Sequence, residues 1–238
     1  MRNNNHSINL IKLDGLLPEM INTIALQLNE EIFTESSGFG FEDVLYDGEY
    51  LSAILLKRTP TFITQYELST GRLIDQEIFL YSKIHWGIDT RHQTLEIIGP
   101  LRNARKLISI FTPFLHSSIR ISPINLSPDR VIPILIKNNL LIEIQKLTVN
   151  HFQYREGVTG RFEMNISNPE AATVILAQYP NEVSKAKLLI QIPEIGSARI
   201  AISTEGHLEV FCGENDLFKV MSHFKTVLFA NEEGEVHA

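Results

Sequence analysis

The sequence predicts an α+β protein, a curved antiparallel sheet with helices packed on one face, built as a pseudo-twofold duplication. Three observations predict it. Ile84, Trp86 and Ile88 alternate with His85, Gly87 and Asp89, and Ile200 and Ile202, then Leu208 and Val210, share one face of a second strand pair. This is the period of half-buried strands. Each pair runs through a glycine into apolar residues at helical spacing: Leu101, Ala104, Leu107, Ile108 and Phe111 in one, Leu217, Val220, Met221 and Phe224 in the other. A shift of 113 lays Leu95, Glu96, Lys106, Ser109 and Phe111 on Leu208, Glu209, Lys219, Ser222 and Phe224, five identities across positions 95–111.

Taken in order, residues 1–6 are polar and lack the apolar run of a signal peptide, so they read as a disordered tail. Ser7 to Leu13 alternates as a strand. Pro18 opens a helix at its first turn, where the missing N–H costs nothing, and Met20, Ile21, Ile24, Ala25, Leu28 and Phe33 form its buried stripe. Thr34 to Gly40 reads as a loop, and Gly38-Phe39-Gly40-Phe41 as aromatics folding back on the core; its spacing is not that of a dinucleotide loop. Four extended runs follow, Tyr50–Arg58, Thr61–Leu68, Arg72–Tyr81 and Ile84–Asp89, with Thr59-Pro60, Ser69-Thr70-Gly71 and Ser82-Lys83 as breaks. The first repeat's helix ends near Pro113. Ile119–Asn125 is extended, Ser127-Pro128-Asp129 caps a helix to about Asn138 with Pro133 inside it or just past its first turn, and Leu140–Tyr154 is a strand before a turn at 157–160. Arg161–Ser167 is a strand, Asn168-Pro169-Glu170 caps a helix to Tyr179, and Lys187–Ile192, Ile200–Ser203 and Leu208–Phe211 are strands before a closing helix, Glu214–Phe229. The domain reading is a first repeat at 7–116, a connecting strand-helix-strand at 117–157, a second repeat at 158–230 and a disordered tail at 231–238.

Charge is distributed unevenly. The 238-residue chain carries −7, yet residues 14–49 hold nine Asp and Glu and no Lys or Arg, which makes this lobe acidic and leaves +2 for the remainder. That balance disfavours nonspecific nucleic-acid binding, which depends on Lys and Arg neutralising phosphates. No apolar run reaches the ~18 residues of a membrane span. Cys212 is the one cysteine, which excludes an internal disulfide and fits a cytoplasmic location; at a strand end among apolar residues it reads as a small buried hydrophobe.

Ile200-Ala201-Ile202-Ser203-Thr204-Glu205-Gly206-His207-Leu208-Glu209-Val210-Phe211-Cys212-Gly213 is an apolar strand, a small-residue turn with glycine and a second apolar strand before the last helix. It resembles the hairpin of the TATA-binding-protein family, and the order strand, helix, antiparallel strands, long helix resembles that family's repeat over roughly 161–229, with a strand-expanded version before it. The resemblance implies a curved, concave antiparallel sheet with helices packed on one face. It does not carry the family's minor-groove role. Ser203 stands where the family has an aromatic, His207 replaces a Lys, Glu209 takes a groove-facing apolar position, and Asp89 and Glu96 are equally unsuited in the first copy.

No phosphate-binding Gly loop, zinc-protease helix, nucleophile elbow or calcium loop occurs. No catalytic residue, metal ligand or cofactor is assigned. His85 and Asp89 share a strand face beside Trp86 and are the candidates for an acid/base pair of a hydrolytic enzyme, although a solvated pair flanking a core Trp explains them more simply. Arg91, Arg102, Arg105 and Lys106 form a basic patch, the alternative site for nucleic acid. The leading expectation is a non-enzymatic cytoplasmic interaction module within a larger complex. It would hold a partner protein through the acidic lobe or the open sheet face, where Glu96 and Ile98, with Glu209 and Phe211, are expected to project.

Overall fold

Strand alternation and helical stripes resolve, among the described residues, into eleven strands and five α-helices. The structure is a computed structural model and describes residues 4–155, 158–166 and 168–230. In order these are β1 (Asn4–Asp14), α1 (Pro18–Glu30), β2 (Phe39–Tyr46), β3 (Tyr50–Glu67), β4 (Arg72–Asp89), β5 (Thr94–Ile98), α2 (Leu101–Phe111), β6 (Arg120–Pro123), α3 (Pro128–Lys137), β7 (Leu141–Arg155), β8 (Val158–Asn165), α4 (Pro169–Gln178), β9 (Val183–Ile192), β10 (Gly196–Ser203), β11 (His207–Cys212) and α5 (Leu217–Phe229). The class is α+β, and the ladders described below are antiparallel.

The chain forms two compact units. One gathers the described residues of Asp14–Ile97 and Arg102–Arg120. Its strands run β2-β3-β4-β5. Phe39 pairs with Lys57, Leu51 with Ile88, and Ile88 with Leu95. Leu51, Ala53, Leu55, Ile84, Trp86, Ile88, Leu95 and Ile97 are buried with Ile21, Ile24 and Leu28 of α1 and Ala104, Leu107 and Phe111 of α2. The Phe111 ring lies 4.7 Å from Trp86, and Phe41 meets Trp86 and Phe114 edge-on at 5.9 and 5.5 Å. Such pairs add about 0.5–1.5 kcal/mol each to what burial gives. Phe41 does fold into the core, and Gly40 is needed for it: a Cβ there would overlap the backbone of Phe33.

The other unit holds the described residues of Met1–Leu13, Ile98–Leu101 and Ile121–Ala238. Its strands run β1-β11-β10-β9-β7-β8, with β6 pairing β1. Ile8 pairs with Leu208, Ile202 with Leu208, Ile200 with Leu188 and Leu147 with Ala186. Their core faces join Val131, Ile132 and Leu135 of α3, Ala172 of α4, and Val220, Met221, Phe224 and Leu228 of α5 in one apolar cluster. Gly206 has φ +74° and sits against the carbonyls of Leu10 and Ile124, so both its conformation and its lack of a side chain are required. Cys212 is buried at the end of β11, and burial, with the Asp216 carboxylate nearby, pushes its thiol above the usual range.

Several boundaries differ from the sequence reading. β1 begins at Asn4, inside the stretch read as a tail. The four runs between 50 and 89 are two unbroken strands, paired residue by residue from Tyr50↔Asp89 to Glu67↔Arg72. Pro60 does not interrupt β3 for a reason visible in the ladder. The Arg58 amide donates to the Gly38 carbonyl, away from β4. With a period of two, the nitrogen of Pro60 also faces away from β4, so no β3–β4 bond is lost. Ser127 caps α3 through its carbonyl, which accepts from the Arg130 and Val131 amides at 3.0 Å, and its side chain makes no cap. Asp129 instead accepts from the Asn181 amide at 3.1 Å. Of the turn expected at 157–160, residues 158–160 instead open β8, paired with β7, while 157 and the tail at 231–238 lie outside the described residues.

Candidate interaction surfaces

β3 and β4 outrun their neighbours. β2 pairs with β3 only as far as Lys57, and β5 pairs with β4 only over Trp86–Asp89. Beyond that, Thr59–Glu67 and Arg72–Leu80 pair only with each other among the described residues. They form a two-stranded ribbon about 33 Å long from Lys57 to its tip at a rise of ~3.3 Å per residue. Its base is fastened. The Arg58 guanidinium lies 3.4 Å from the Phe79 ring centroid and donates to the Glu35 carbonyl at 3.1 Å, and Tyr81 meets Phe33 edge-on.

Beyond the base the ribbon carries large apolar side chains open to solvent among polar ones. On the face that continues from Ile54 and Leu56, Phe62 is 70% exposed, Tyr66 56% and Leu73 69%, beside the carboxylates of Asp75 and Glu77. Ile63, Ile74 and Leu80 are exposed on the opposite face, and Leu68 at the tip. An isolated two-stranded hairpin is marginally stable in water, and large apolar side chains left exposed together on one element mark an interaction site.

A second surface lies on the other unit, on the sheet face turned away from its helices. Here Lys146, Arg161, Lys185 and Lys187, with Glu163, His207 and Glu209, surround a floor of Thr148, Ala201 and Ser203 in a groove of about 190 Å³. Glu163 bridges Lys146 and Arg161, the latter at 2.9 Å, and these two cations hold its carboxyl below the usual range. His207 Nε2 lies 3.7 Å from Glu209, and the Lys187 ammonium sits 4.8 Å from the Phe211 ring centroid.

The residues expected to project divide. Glu209 and Phe211 do lie half-buried on the open face of their unit, and Ile98 is exposed. Glu96 does not project: it is 8% exposed. The Tyr50 phenol lies over Gly87, where a Cβ would overlap its ring, and reaches to 3.5 Å from the Glu96 carboxylate. Strand alternation assigns a face but cannot show that a side chain two strands away will roof it. The legible signal was Gly87 itself, a glycine inside an apolar strand, which marks a close approach. Burial and the carboxylates of Glu96 and Asp89 push the Tyr50 phenol far above its usual range.

Of the basic patch, Arg102 and Arg105 are exposed and Lys106 half-buried on α2, one helical turn apart, whereas Arg91 pairs with Glu49 at 3.5 Å. Asp89 is buried and closes the β4–β5 turn. It accepts from the Arg91 and His92 amides at 3.1 and 3.2 Å, and its second oxygen lies 3.0 Å from His92 Nδ1. His85 is exposed, four residues back along the strand and so ~13 Å away. The structure therefore joins Asp89 with His92 and not with His85. Among the described residues no three His, Cys, Asp or Glu cluster as metal ligands, and no helix is long and apolar enough to cross a membrane. The ribbon itself escaped sequence reading because Thr59-Pro60 and Ser82-Lys83 look like turns. No protein-family model matches the chain, and no curated protein matches it either.

Proposed function

We propose that this chain is a non-enzymatic interaction module that holds a partner protein with the ribbon between Thr59 and Leu80. The observation that carries it is the exposed set Phe62, Tyr66 and Leu73 on a ribbon with two unpaired edges. The partner it fits offers an apolar cleft rimmed by Lys or Arg, because Asp75 and Glu77 flank those side chains and the ribbon springs from the unit bearing the acidic segment 14–49. Aromatic anchors entering a pocket, with charge at the rim, are the usual source of affinity and orientation. The reading keeps the protein cytoplasmic and in a larger complex. Its test is a photo-crosslinking residue at position 62 in the full chain, made in its source cells. A heteromeric adduct is expected, and it should vanish when Tyr66 and Leu73 are both changed to Asp; the partner so identified should no longer copurify with a chain in which Thr59–Leu80 is replaced by an Asn-Gly turn joining Arg58 to Tyr81. An adduct between two copies, one that survives both Asp changes, or a partner that still copurifies with the shortened chain would overturn the reading.

The same proposal includes descent from a duplicated, TATA-binding-protein-like unit. What supports it is order: α1-β2-β3-β4-β5-α2 corresponds to α3-β7-β9-β10-β11-α5, and β2-β3-β4-β5 neighbour one another as β7-β9-β10-β11 do. The hairpins pair Ile88 with Leu95 and Ile202 with Leu208, so the first strand corresponds at a shift of 114 and the second at 113. The first copy has one more residue in its turn. On this reading β8 with α4 is an insertion in the second copy and the ribbon an extension in the first.

A further inference from the structure

The groove on the open face of the second sheet places like charges together without balancing them. Lys146 stands directly opposite Lys187, and Lys185 opposite Thr148, on the β7–β9 ladder. Like charges facing across strands are destabilising unless an anion lies between them. Glu163 answers Lys146 and Arg161, but no carboxylate of a described residue lies within ion-pair distance of Lys185 or Lys187. These two project from the same face of β9 two residues apart, hence ~7 Å apart. That is also the spacing of alternate side chains on an extended peptide.

We propose that this groove binds an extended segment of a partner protein bearing carboxylates at alternate positions, seated on Lys185 and Lys187 with Arg161 at its flank. Thr148, Ala201 and Ser203 leave room for a backbone to lie close to the sheet. A nucleic-acid strand fits the surface less well. Its continuous phosphates would run against Glu163 and Glu209, and the floor offers no aromatic platform for a base, the Phe211 ring being already faced by Lys187. A peptide can space its charges around both carboxylates.

The test is fluorescence anisotropy with a labelled heptapeptide alternating Glu and Thr, set against a Lys-Thr peptide and an oligothymidylate of equal charge. The Glu-Thr peptide alone should bind at low ionic strength, weakening as salt rises. Lys185→Glu with Lys187→Glu should weaken it at least about tenfold, while the double Arg variant keeps it. The chain with its ribbon shortened should bind the peptide as the native chain does, which separates this site from the function proposed above. If the double reversal lowers the melting temperature, Lys185→Gln and Lys187→Gln are compared singly, each expected to cost roughly threefold. Absence of peptide binding, indifference to every Lys substitution, or tighter binding of the oligothymidylate would overturn the proposal.

Discussion

Gly87 decides what the β4–β5 face becomes. Without a side chain there, the Tyr50 ring lies against the strand, reaches Glu96, and turns a face expected to be solvated into a covered one. Gly87→Ala should therefore destabilise the protein by ~1–3 kcal/mol through overpacking, read as a lower denaturation midpoint with an unchanged slope. The buried phenol also makes stability pH-dependent. Its pKa is raised in the folded state, so the folded chain holds that proton more tightly than the unfolded one. The contribution is full below the ordinary phenol pKa of about 10 and is lost as pH rises beyond it. Between pH 9 and 11, roughly the onset of that loss, Tyr50→Phe should lose less stability than the native chain in urea titrations.

At the scale of elements, the ribbon contributes apolar surface to solvent and little to either core. Replacing Thr59–Leu80 with Asn-Gly should leave the thermal midpoint within a few degrees of the native value and sharply reduce binding of an apolar dye. A large drop in the midpoint would show that the ribbon is part of the core. The elements most legible in the sequence carried two agreeing signals. α1 has Pro18 at its start and the stripe Ile21, Ile24, Ala25 and Leu28, and β10–β11 has strict alternation around Gly206. The ribbon had conflicting signals. Pro60 reads as a break by composition, and only the direction of its nitrogen within the ladder makes it harmless. Of the sites, Glu209 and Phe211 were legible because their strand alternates through to its end. Lys185 and Lys187 were not: their meeting with Lys146 and Arg161 depends on β7 and β8 pairing beside β9, which no local pattern encodes.

At the scale of the whole chain, each unit has its own aromatic anchor, Phe111 in one and Phe224 in the other, both essentially fully buried. Phe111→Ala and Phe224→Ala should each cost ~3–5 kcal/mol through lost burial and the cavity left behind. Hydrogen exchange should locate the damage: Phe111→Ala speeds exchange first in β4 and β5, and Phe224→Ala first in β10 and β11. Loss of protection across both sets at once in either variant would mean that the units unfold as one.

The ladder between β3 and β4 carries one more consequence. The tip at Leu68–Gly71 is exposed, which is where a protease cuts most readily, yet eighteen residue pairs join the two strands behind it. A chain severed at Thr70 would not fall apart. Its pieces, ending and beginning at the tip, would stay zipped along the ribbon and copurify. Made as separate polypeptides, they are expected to reassemble as a split pair, which copurification of the two pieces would show.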